Sequence, residues 1–366
     1  MIEHDIQKSI IPRFPNKKTY TIGIIGAGFI VRDCHLPAYK KAGFNAIAIT
    51  SLDEEQSKSV AAQFGIERVH SSWKELIDDR DVQILDIAVP PHIQPEIVQY
   101  ACEKDHILAI LCQKPSAIDY KSAKLIADVG RESGKLIGVN SNMRYDPSIR
   151  ALKYCLDRGL IGEPVVANLE QHAIPHWQTF VAQYNRLTFL NFSIHELDCY
   201  RYLFGDPKYI TAVCRTDPRL RFEHSDGIIQ FTYAYENGLL ATSLDDTFAC
   251  PDEPCAKDTN IRWRVTGSEG VAKGTIGWPE FPALCPSTFQ LACKQYPNAW
   301  IRPAWDVCWF PDAFMGTMSG LLCALEDNTQ PEISAEDHAR TIACVEACYR
   351  STQERRTIAL DEIIGK

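Results

Sequence analysis

Between residues 20 and 140, short apolar runs alternate with segments whose apolar positions repeat at helical spacing. The apolar runs predict strands at Tyr20–Ile25, Ala46–Thr50, Ile84–Val89, Ile107–Leu111 and Leu136–Val139. These runs are continuously apolar, as in parallel strands that are covered on both faces. The helical patterns fall near residues 30–42, 54–64, 93–104 and 119–132. This alternation predicts a doubly wound parallel sheet.

After about residue 160 the pattern changes to longer β-like segments separated by turn signals. The predicted strands are Pro164–His172, Tyr209–Cys214, Gly227–Tyr235, Leu239–Leu244, Ile261–Thr266 and Val271–Ile276. Helical patterns cover Ile194–Leu203, about 310–326 and about 334–352. These segments predict an α+β domain on a mainly antiparallel sheet. We therefore expect an N-terminal arm at 1–19, a first domain at 20–145 and a second domain at 146–366.

A glycine-containing turn joins the first predicted strand to the first predicted helix. Gly26 permits a tight turn, and Gly28 lets the backbone approach a pyrophosphate. The helix start at Phe29 and Ile30 offers N–H groups and the positive end of the helix dipole. Val31 stands where the third glycine of the G-x-G-x-x-G pattern would be. The order strand, turn, helix predicts a dinucleotide-binding Rossmann domain; the alternative is an ordinary βα turn.

The end of the second predicted strand bears on the choice between NAD and NADP. An acidic residue at that position hydrogen-bonds the ribose hydroxyls of NAD, and here the position holds Ser51. No arginine follows for a 2′-phosphate, and Asp53 lies among three nearby carboxylates. NAD is therefore the expected cofactor, with NADP as the alternative. Asp53 can equally serve only as the N-cap of the next helix.

Composition and charge narrow the classes of partner. The 366 residues correspond to two domains at roughly 100–200 residues each. The net charge of −9 disfavours nucleic acid, and no apolar run reaches the roughly 18 residues of a membrane helix. The first 20 residues lack the apolar core of a signal peptide. We expect a cytoplasmic protein whose 14 cysteines stay reduced, mostly as small buried hydrophobes, and no metal site.

Three further segments carry a family resemblance. They are Ile87–His92, Cys112–Pro115 and Asn191–Asp198, with shorter matches at 144–147, 159–164 and 334–337. Together with the glycine turn they make the chain similar, from about 20 to 360, to the family of glucose–fructose oxidoreductase, inositol dehydrogenase and MocA-type proteins. The resemblance implies a Rossmann domain followed by an α/β domain with a large open sheet. It also implies hydride exchange between a sugar-like alcohol and nicotinamide C4, and homo-oligomers formed through that sheet.

Two positions depart from the family pattern. Family members usually carry Glu-Lys-Pro where this chain has Gln113–Pro115, and an aspartate where it has Asn191 four residues before His195. Both differences remove a negative charge near the expected reaction centre. Lys114, at the carboxyl end of the parallel sheet, is expected to stabilise an alkoxide or to share the base role. His195 is the candidate base, and Asn191 is expected to orient its imidazole or to bind a substrate hydroxyl.

The remaining candidates each have a second interpretation. Pro90 and His92, with Gln113 and Lys114, are expected to line the cofactor cleft, although His92 can be a simple loop residue. Arg144 and Tyr145 are expected either to contact substrate or to link the domains. His172 and His176, beside Trp177, suit sugar binding or subunit packing. An aromatic stretch suits the aryl group of a glycoside or the core, and comprises Trp300, Trp305, Trp309 and Phe310.

Three functional hypotheses follow. The first is an NAD(P)-dependent oxidoreductase acting on a secondary hydroxyl of a sugar, glycoside or cyclic polyol, with C3 of a glucoside as one candidate position. The second keeps the fold and uses a transient oxidation to eliminate the aglycone, so that a glycoside is cleaved with no net NADH. The third is a dinucleotide or sugar sensor without catalysis, which the loss of two acidic residues would suit.

Overall fold

The structure is a computed structural model, and it describes residues 2–172, 179–220, 222–246, 259–278 and 281–365. Contacts divide the chain into two compact units. The first, called the Rossmann unit, contains Pro12–Asn142 and Pro311–Ala339. The second unit contains the residues up to Ile11, Met143–Phe310 and the chain from Arg340 onward. The division expected from the sequence is simpler, because it cuts the chain only before residues 20 and 146.

The N-terminal helix α1 (Ile2–Ser9) belongs to the second unit. The Rossmann unit is built on a parallel sheet with the strand order β3-β2-β1-β4-β5-β6. Its strands are β1 (Thr21–Ile25), β2 (Asn45–Thr50), β3 (Arg68–Val69), β4 (Ile84–Ile87), β5 (Ala109–Gln113) and β6 (Leu136–Asn140). Its helices include α2 (Leu36–Ala42), α3 (Glu54–Phe64), α4 (Trp73–Asp78), α5 (Gln94–Cys102) and α6 (Tyr120–Ser133). The predicted doubly wound parallel sheet is confirmed.

The second unit carries a nine-stranded sheet in the order β14-β13-β12-β11-β7-β10-β9-β8-β15. Its strands are β7 (Pro164–His172), β8 (Tyr209–Arg215), β9 (Ile228–Ala234), β10 (Leu240–Asp246), β11 (Asn260–Gly267), β12 (Gly270–Thr275), β13 (Thr288–Cys293), β14 (Tyr296–Ile301) and β15 (Ile358–Ala359). The later helices of the chain are α7 (Pro147–Asp157), α8 (Ile194–Phe204), α9 (Ala313–Asp327), α10 (Ala335–Glu354) and α11 (Asp361–Ile364). All strand pairs are antiparallel except β7 with β10, which confirms the predicted mainly antiparallel sheet.

The two faces of the nine-stranded sheet differ in their cover. Helices α7, α8 and α10 pack on one face, where Tyr200 donates to the Thr242 carbonyl at 2.5 Å and Ser351 accepts from the Ala212 N–H at 2.9 Å. The other face is exposed and carries apolar side chains, among them Leu240 and Leu244. Helix α9 belongs to the Rossmann unit and packs against β5 and β6. Within the described ranges, none of the helices combines the length and apolar character of a membrane span.

Candidate active site

The turn after β1 contains one glycine that the fold itself requires. Gly26 has a φ of +121°, and a Cβ on it would lie 2.4 Å from the Ala88 carbonyl oxygen. Gly28 is different, since a Cβ there would meet nothing within 4 Å. The first N–H groups of a helix have no acceptor within the helix, and the chain enters its helix directly after Gly28. The turn therefore fits a dinucleotide pyrophosphate, which needs open space and N–H donors.

The helix after this turn is not a single α-helix. A π-helix spans Ile30–His35 and α2 follows from Leu36, whereas the sequence predicted one helix over about 30–42. Val31, at the position of the third glycine of the pattern, is fully buried. This buried valine side chain lies within the wider π-helical turn. The cofactor roles predicted for Phe29 and Ile30, which lie half-buried at the start of this helix, stay predictions.

Gly26→Ala and Gly28→Ala separate folding from cofactor binding. We expect Gly26→Ala to cost at least about 2 kcal/mol of stability, because the positive φ and the contact with Ala88 both oppose a side chain. Gly28→Ala should change stability by less than about 0.5 kcal/mol but weaken NADH binding by about tenfold or more, since its methyl group occupies the pyrophosphate position. Thermal unfolding and NADH titration measure the two effects. Unchanged NADH affinity in Gly28→Ala would remove the pyrophosphate from this turn.

The end of β2 is occupied by hydrogen bonds within the chain. The Ser51 hydroxyl donates to the Asp53 carbonyl at 2.7 Å and pairs with the Ser57 hydroxyl at 2.7 Å. Asp53 caps α3, because its carboxylate accepts from the Gln56 N–H at 3.0 Å, so the N-cap interpretation is confirmed. The contact of Ser51 with the cofactor ribose stays a prediction.

A buried glutamine fastens the carboxyl ends of β4 and β5 together. The Gln94 amide nitrogen lies 2.9 Å from the Val89 carbonyl oxygen, 3.0 Å from that of Gln113 and 3.2 Å from that of Pro115. The sequence interpretation did not include Gln94. A signal existed, because Gln94 shares the buried helical positions of α5 with Ile97, Val98 and Ala101.

Lys114 follows β5 directly, at the edge of the sheet where ligands bind in such folds. Its side chain is half-buried, and its backbone N–H donates to the Gln113 amide oxygen at 2.8 Å. Pro90 accepts from the Ile93 N–H at 3.2 Å in the turn before α5, and the exposed His92 lies in the same turn. The structure thus brings the ends of β4 and β5 together in one unit, and the roles of these residues toward a cofactor stay predictions.

Asn191 and His195 lie in two different helical segments. Asn191 lies in a π-helix, Thr188–Phe192, and His195 lies in the first turn of α8, which begins at Ile194. The wider π turn changes the angle between positions four apart in sequence, so this spacing alone does not place the two side chains on one face. Both side chains are buried, with 3% and 7% of their surface exposed. The His195 ring stands edge-on to the Trp309 ring, with centroids 5.0 Å apart.

Two buried carboxylates attach this segment to the sheet. Asp226, just before β9, accepts from the backbone N–H groups of Leu187 and Phe189 at 2.8 Å each. Asp245, in β10, accepts from the Ser193 hydroxyl between Asn191 and His195. Burial raises the pKa of Asp226, and it raises the pKa of Asp245 to about 6. The sequence interpretation missed both, because a lone aspartate in a strand pattern carries no sign of its partner.

Arg144 is held in an ion pair inside the second unit. Its guanidinium makes two hydrogen bonds to the Asp198 carboxylate, at 2.6 and 2.7 Å, and both side chains are buried. Thr341 donates to the same carboxylate at 2.8 Å. This geometry fixes α8, and a contact of Arg144 with substrate stays a prediction. Tyr145 is half-buried, with the Arg150 guanidinium 4.0 Å from its ring centre.

Asp146 begins α7 as a fully buried N-cap. Its carboxylate accepts from the Ser148 N–H at 2.8 Å and the Ile149 N–H at 3.3 Å, and from the Ser287 hydroxyl. Burial raises the pKa of Asp146 from 3.8 to about 6. The folded state therefore binds a proton more tightly than the unfolded chain does, and stability falls as pH rises from about 4 to about 6.

The variant Asp146→Asn tests this pH dependence, because asparagine keeps a capping oxygen and cannot titrate. A pKa change from 3.8 to about 6 corresponds to about 3 kcal/mol at most. We expect the thermal midpoint of the natural protein to fall relative to that of Asp146→Asn between pH 4 and pH 7. Melting curves of both proteins at matched ionic strength measure this difference. Parallel pH dependences would show that burial does not raise the pKa of Asp146.

The aromatic candidates divide into two groups. Trp309 packs against Phe310 at 4.7 Å, and Phe310 also contacts Trp278 at 6.3 Å and Phe281 at 5.8 Å, all centroid distances. We call these four residues the aromatic cluster, and through Trp309 it adjoins His195. Trp300, by contrast, is exposed on β14, and Trp305 donates to the Ser287 carbonyl at 2.7 Å.

His172 is half-buried in β7, and its Nε2 lies 2.8 Å from a Glu170 carboxylate oxygen. His176 and Trp177 lie outside the described residues. In the part of the chain that the structure describes, no three His, Cys, Asp or Glu side chains are grouped to hold a metal ion.

Comparison with known families covers most of the chain. A model of the oxidoreductase family with an NAD-binding Rossmann fold matches residues 20–141. A model of the GFO/IDH/MocA C-terminal domain matches residues 149–273.

Several similar proteins are named as dehydrogenases of a sugar or of inositol. A D-apiose dehydrogenase of Paraburkholderia graminis is 25% identical over 351 residues, 94% of this chain and 91% of the relative. Inositol 2-dehydrogenase 1 of Saccharopolyspora erythraea is 27% identical over 348 residues, 87% of this chain and 98% of the relative. A solved levoglucosan dehydrogenase, in complex with NADH and L-sorbose, aligns with a TM-score of 0.80 at 19% identity, over 94% of this chain and 99% of that one. At that identity the structural likeness concerns the fold.

Proposed function

Since the chain belongs to the oxidoreductase family of glucose–fructose oxidoreductase, inositol dehydrogenase and MocA-type proteins, we propose that it oxidises a secondary hydroxyl of a sugar or glycoside with NAD. The resemblance predicted from the sequence is confirmed by the two family models, and with it the NAD-binding Rossmann domain of an oxidoreductase. The observation that carries the proposal is the turn at Gly26 and Gly28, where the chain leaves open space beside the start of a helix. The named relatives support a sugar as substrate.

The reaction removes a hydride from the carbinol carbon and a proton from its hydroxyl, leaving a carbonyl group. Bound NAD⁺ supplies the hydride acceptor at nicotinamide C4. We assign the hydroxyl proton to His195, because histidine is the residue type that most often serves as a general base near neutral pH. We assign to the Lys114 ammonium the stabilisation of the developing alkoxide. In the reverse reaction the protonated imidazole returns the proton to the alkoxide oxygen.

The neutral side chains at two positions distinguish this chain from the usual family pattern. Asn191, where the family usually has an aspartate, can hydrogen-bond a ring nitrogen or a substrate hydroxyl but adds no negative charge. Gln113, where the family usually has a glutamate, uses its amide oxygen for the Lys114 N–H. We propose that the Asn191 and Gln113 amides position His195 and Lys114, respectively. Neither amide adds a charge that would change the protonation of these two side chains.

The aromatic cluster supports a glycoside as the substrate class, with C3 of a glucoside as the candidate position. Trp278, Phe281 and Phe310 are half-exposed, and the cluster adjoins His195 through Trp309. Half-exposed aromatic faces suit sugar C–H surfaces and planar aglycones. The refinement to an aryl glucoside rests on this cluster alone.

A substrate panel tests the proposal. Free hexoses, myo-inositol, methyl glucosides and aryl glucosides are each incubated with NAD⁺ or NADP⁺, and reduced cofactor is followed by its absorbance. We expect turnover with NAD⁺ and a preference for the aryl glucosides. Turnover of free hexoses only would discard the glycoside refinement. Turnover of none, with NADH still bound, would favour the sensor hypothesis.

We further propose that copies of the chain associate through the exposed face of the nine-stranded sheet. Apolar side chains on it that are at least 40% exposed include Val166, Tyr209, Val213, Leu240 and Leu244. On the same face Arg264 lies directly opposite Lys273 in the β11–β12 pair. Like charges opposite each other are unfavourable, so an acidic group from another copy would stabilise the pair.

Leu240→Glu combined with Leu244→Glu is expected to convert the oligomer to monomers. Two carboxylates would have to be desolvated in the interface, which costs several kcal/mol. Light scattering after size exclusion measures the mass, with Leu125→Glu on the exposed side of α6 as the control. An unchanged mass of the double variant would place the interface elsewhere.

A further inference from the structure

Five polar side chains meet in the interior of the Rossmann unit. They come from the π-helix after the glycine turn and from α2, β4, β5 and β6, and are His35, Tyr39, Asp86, Gln113 and Asn140. His35 and Asp86 are fully buried, and the other three expose at most 8% of their surface. Burying so many polar groups is unfavourable unless they satisfy one another. The cluster therefore needs an explanation beyond packing.

One side of the His35 ring faces a carboxylate. Its Nδ1 lies 2.7 Å from Asp86 Oδ2, and the Tyr39 hydroxyl donates to the same oxygen at 2.7 Å. Burial first, and the Asp86 charge second, raise the pKa of Tyr39 well above its ordinary value, so the phenol remains a donor. An ionised carboxylate can only accept hydrogen bonds. The short contact between Nδ1 and Asp86 Oδ2 therefore requires a hydrogen on Nδ1. His35 therefore carries its hydrogen on Nδ1.

The other side of the ring faces two amides. His35 Nε2 lies 3.1 Å from the Gln113 amide nitrogen and 2.9 Å from that of Asn140. The Gln113 amide can adopt only one orientation, because its oxygen accepts from the Lys114 N–H at 2.8 Å. Its NH₂ group thus donates toward Nε2, which must present a lone pair. The ring is neutral, with the tautomer set from both sides.

Within the part of the chain that the structure describes, the hydrogen bonds to this ring join it to one ionisable group and two amides. Asp86 from β4 and Tyr39 from α2 are the titratable groups that face it, and β5 and β6 supply the two amides. From α9 the Phe314 ring packs against the imidazole at 5.2 Å between centroids. A proton added at Nε2 would face the N–H donor of the Gln113 amide, so this amide opposes the imidazolium form.

We propose that His35 is a positioning residue for Lys114 that acts through Gln113, and that an amide at 113 is matched to a neutral His35. The contacts run from Asp86 to His35, to the Gln113 amide and to the Lys114 backbone. Gln94 holds the Gln113 carbonyl as well, so both ends of that residue are fixed. A carboxylate at 113 would face the Nε2 lone pair and would require a proton on the ring. This inference rests on the role proposed for Lys114.

Two substitutions of His35 separate the contact at its Nδ1 from the contacts at its Nε2. In His35→Asn the amide nitrogen can replace Nδ1 toward Asp86, but nothing replaces Nε2. In His35→Gln the longer side chain places an acceptor near the Nε2 position, toward Gln113. We expect His35→Asn to lower kcat by about 10–100-fold with KM for NAD⁺ changed less than about threefold, as loss of a supporting hydrogen bond does. His35→Gln should recover most of that loss.

A merely structural role predicts another pattern. Both variants would then lose thermal stability to a similar degree and have the same kcat, which would overturn the proposal. The exposed His4→Asn serves as the control for a histidine replacement without effect on either measurement.

The ring itself can be observed without any turnover. Nitrogen-15 spectra of the histidine rings, with His35→Gln to assign the signal, should show a neutral ring with hydrogen on Nδ1 between pH 6 and pH 8. In Gln113→Glu the same ring should be doubly protonated at pH 6. The thermal midpoint of Gln113→Glu should fall as pH rises and the ring loses that proton. A doubly protonated ring in the natural protein at pH 7 would overturn the proposal, whether or not a sugar is ever turned over.

Discussion

Lys114→Met is expected to lower kcat/KM for the sugar by at least about 10³-fold, or about 4 kcal/mol of transition-state stabilisation. Methionine keeps most of the apolar stem of lysine and removes only the ammonium group. The backbone at this position is held independently, by the Gln113 amide and by Gln94 on the Gln113 and Pro115 carbonyls. The variant should therefore fold normally, and the loss should fall on kcat.

Initial rates of NADH formation measure the effect, and NADH titration measures cofactor affinity. Lys121→Met, at an exposed position of α6, is the matched control. Retention of more than a tenth of the natural kcat/KM by Lys114→Met would remove the alkoxide role from this lysine.

His195→Gln is expected to lower kcat by about 10²–10⁴-fold, the usual contribution of a general base. Glutamine retains hydrogen-bonding capacity and approximate size, so the edge contact with Trp309 suffers least. The base must be unprotonated to take the hydroxyl proton, so activity of the natural protein falls toward low pH. That acidic limb should be absent from the pH–rate profile of His195→Gln.

Asn191→Asp serves as the companion variant for the same assignment. A carboxylate four residues before His195 should favour the charged ring, and the acidic limb should move to higher pH. An acidic limb that persists in His195→Gln would assign the proton to another group.

Much of the fold could be predicted from the pattern of apolar positions. Helix α3 and strand β7 have the predicted bounds, because Asp53 and Gly65 delimit the first and apolar alternation marks the second. Strand β3 and helix α4 were missed, being only two and six residues long, too short for a periodic signal. Strand β14 was missed as well. Four of its six residues are exposed, so it lacks the apolar run that would reveal an edge strand.

The site could be predicted only where local sequence determines it. Gly26 is required by its own φ and by the Ala88 carbonyl just after β4, and Lys114 is located by the strand before it. The supporting residues depend on partners that are distant in sequence. His35 meets Asp86 across 51 positions and Asn140 across 105, and Ser193 meets Asp245 across 52. No spacing rule links such pairs, so a single sequence cannot reveal them.

The most direct test of the central claim is the mass of the product formed from a glucoside and NAD⁺ by the purified protein. We predict one NADH for each product molecule, and a product lighter than the glucoside by two hydrogen atoms with the aglycone still attached. A free neutral sugar and free aglycone without net NADH would contradict it in favour of transient oxidation and elimination. Recovery of the glucoside unchanged, with NADH bound to the protein, would contradict it in favour of a sensor.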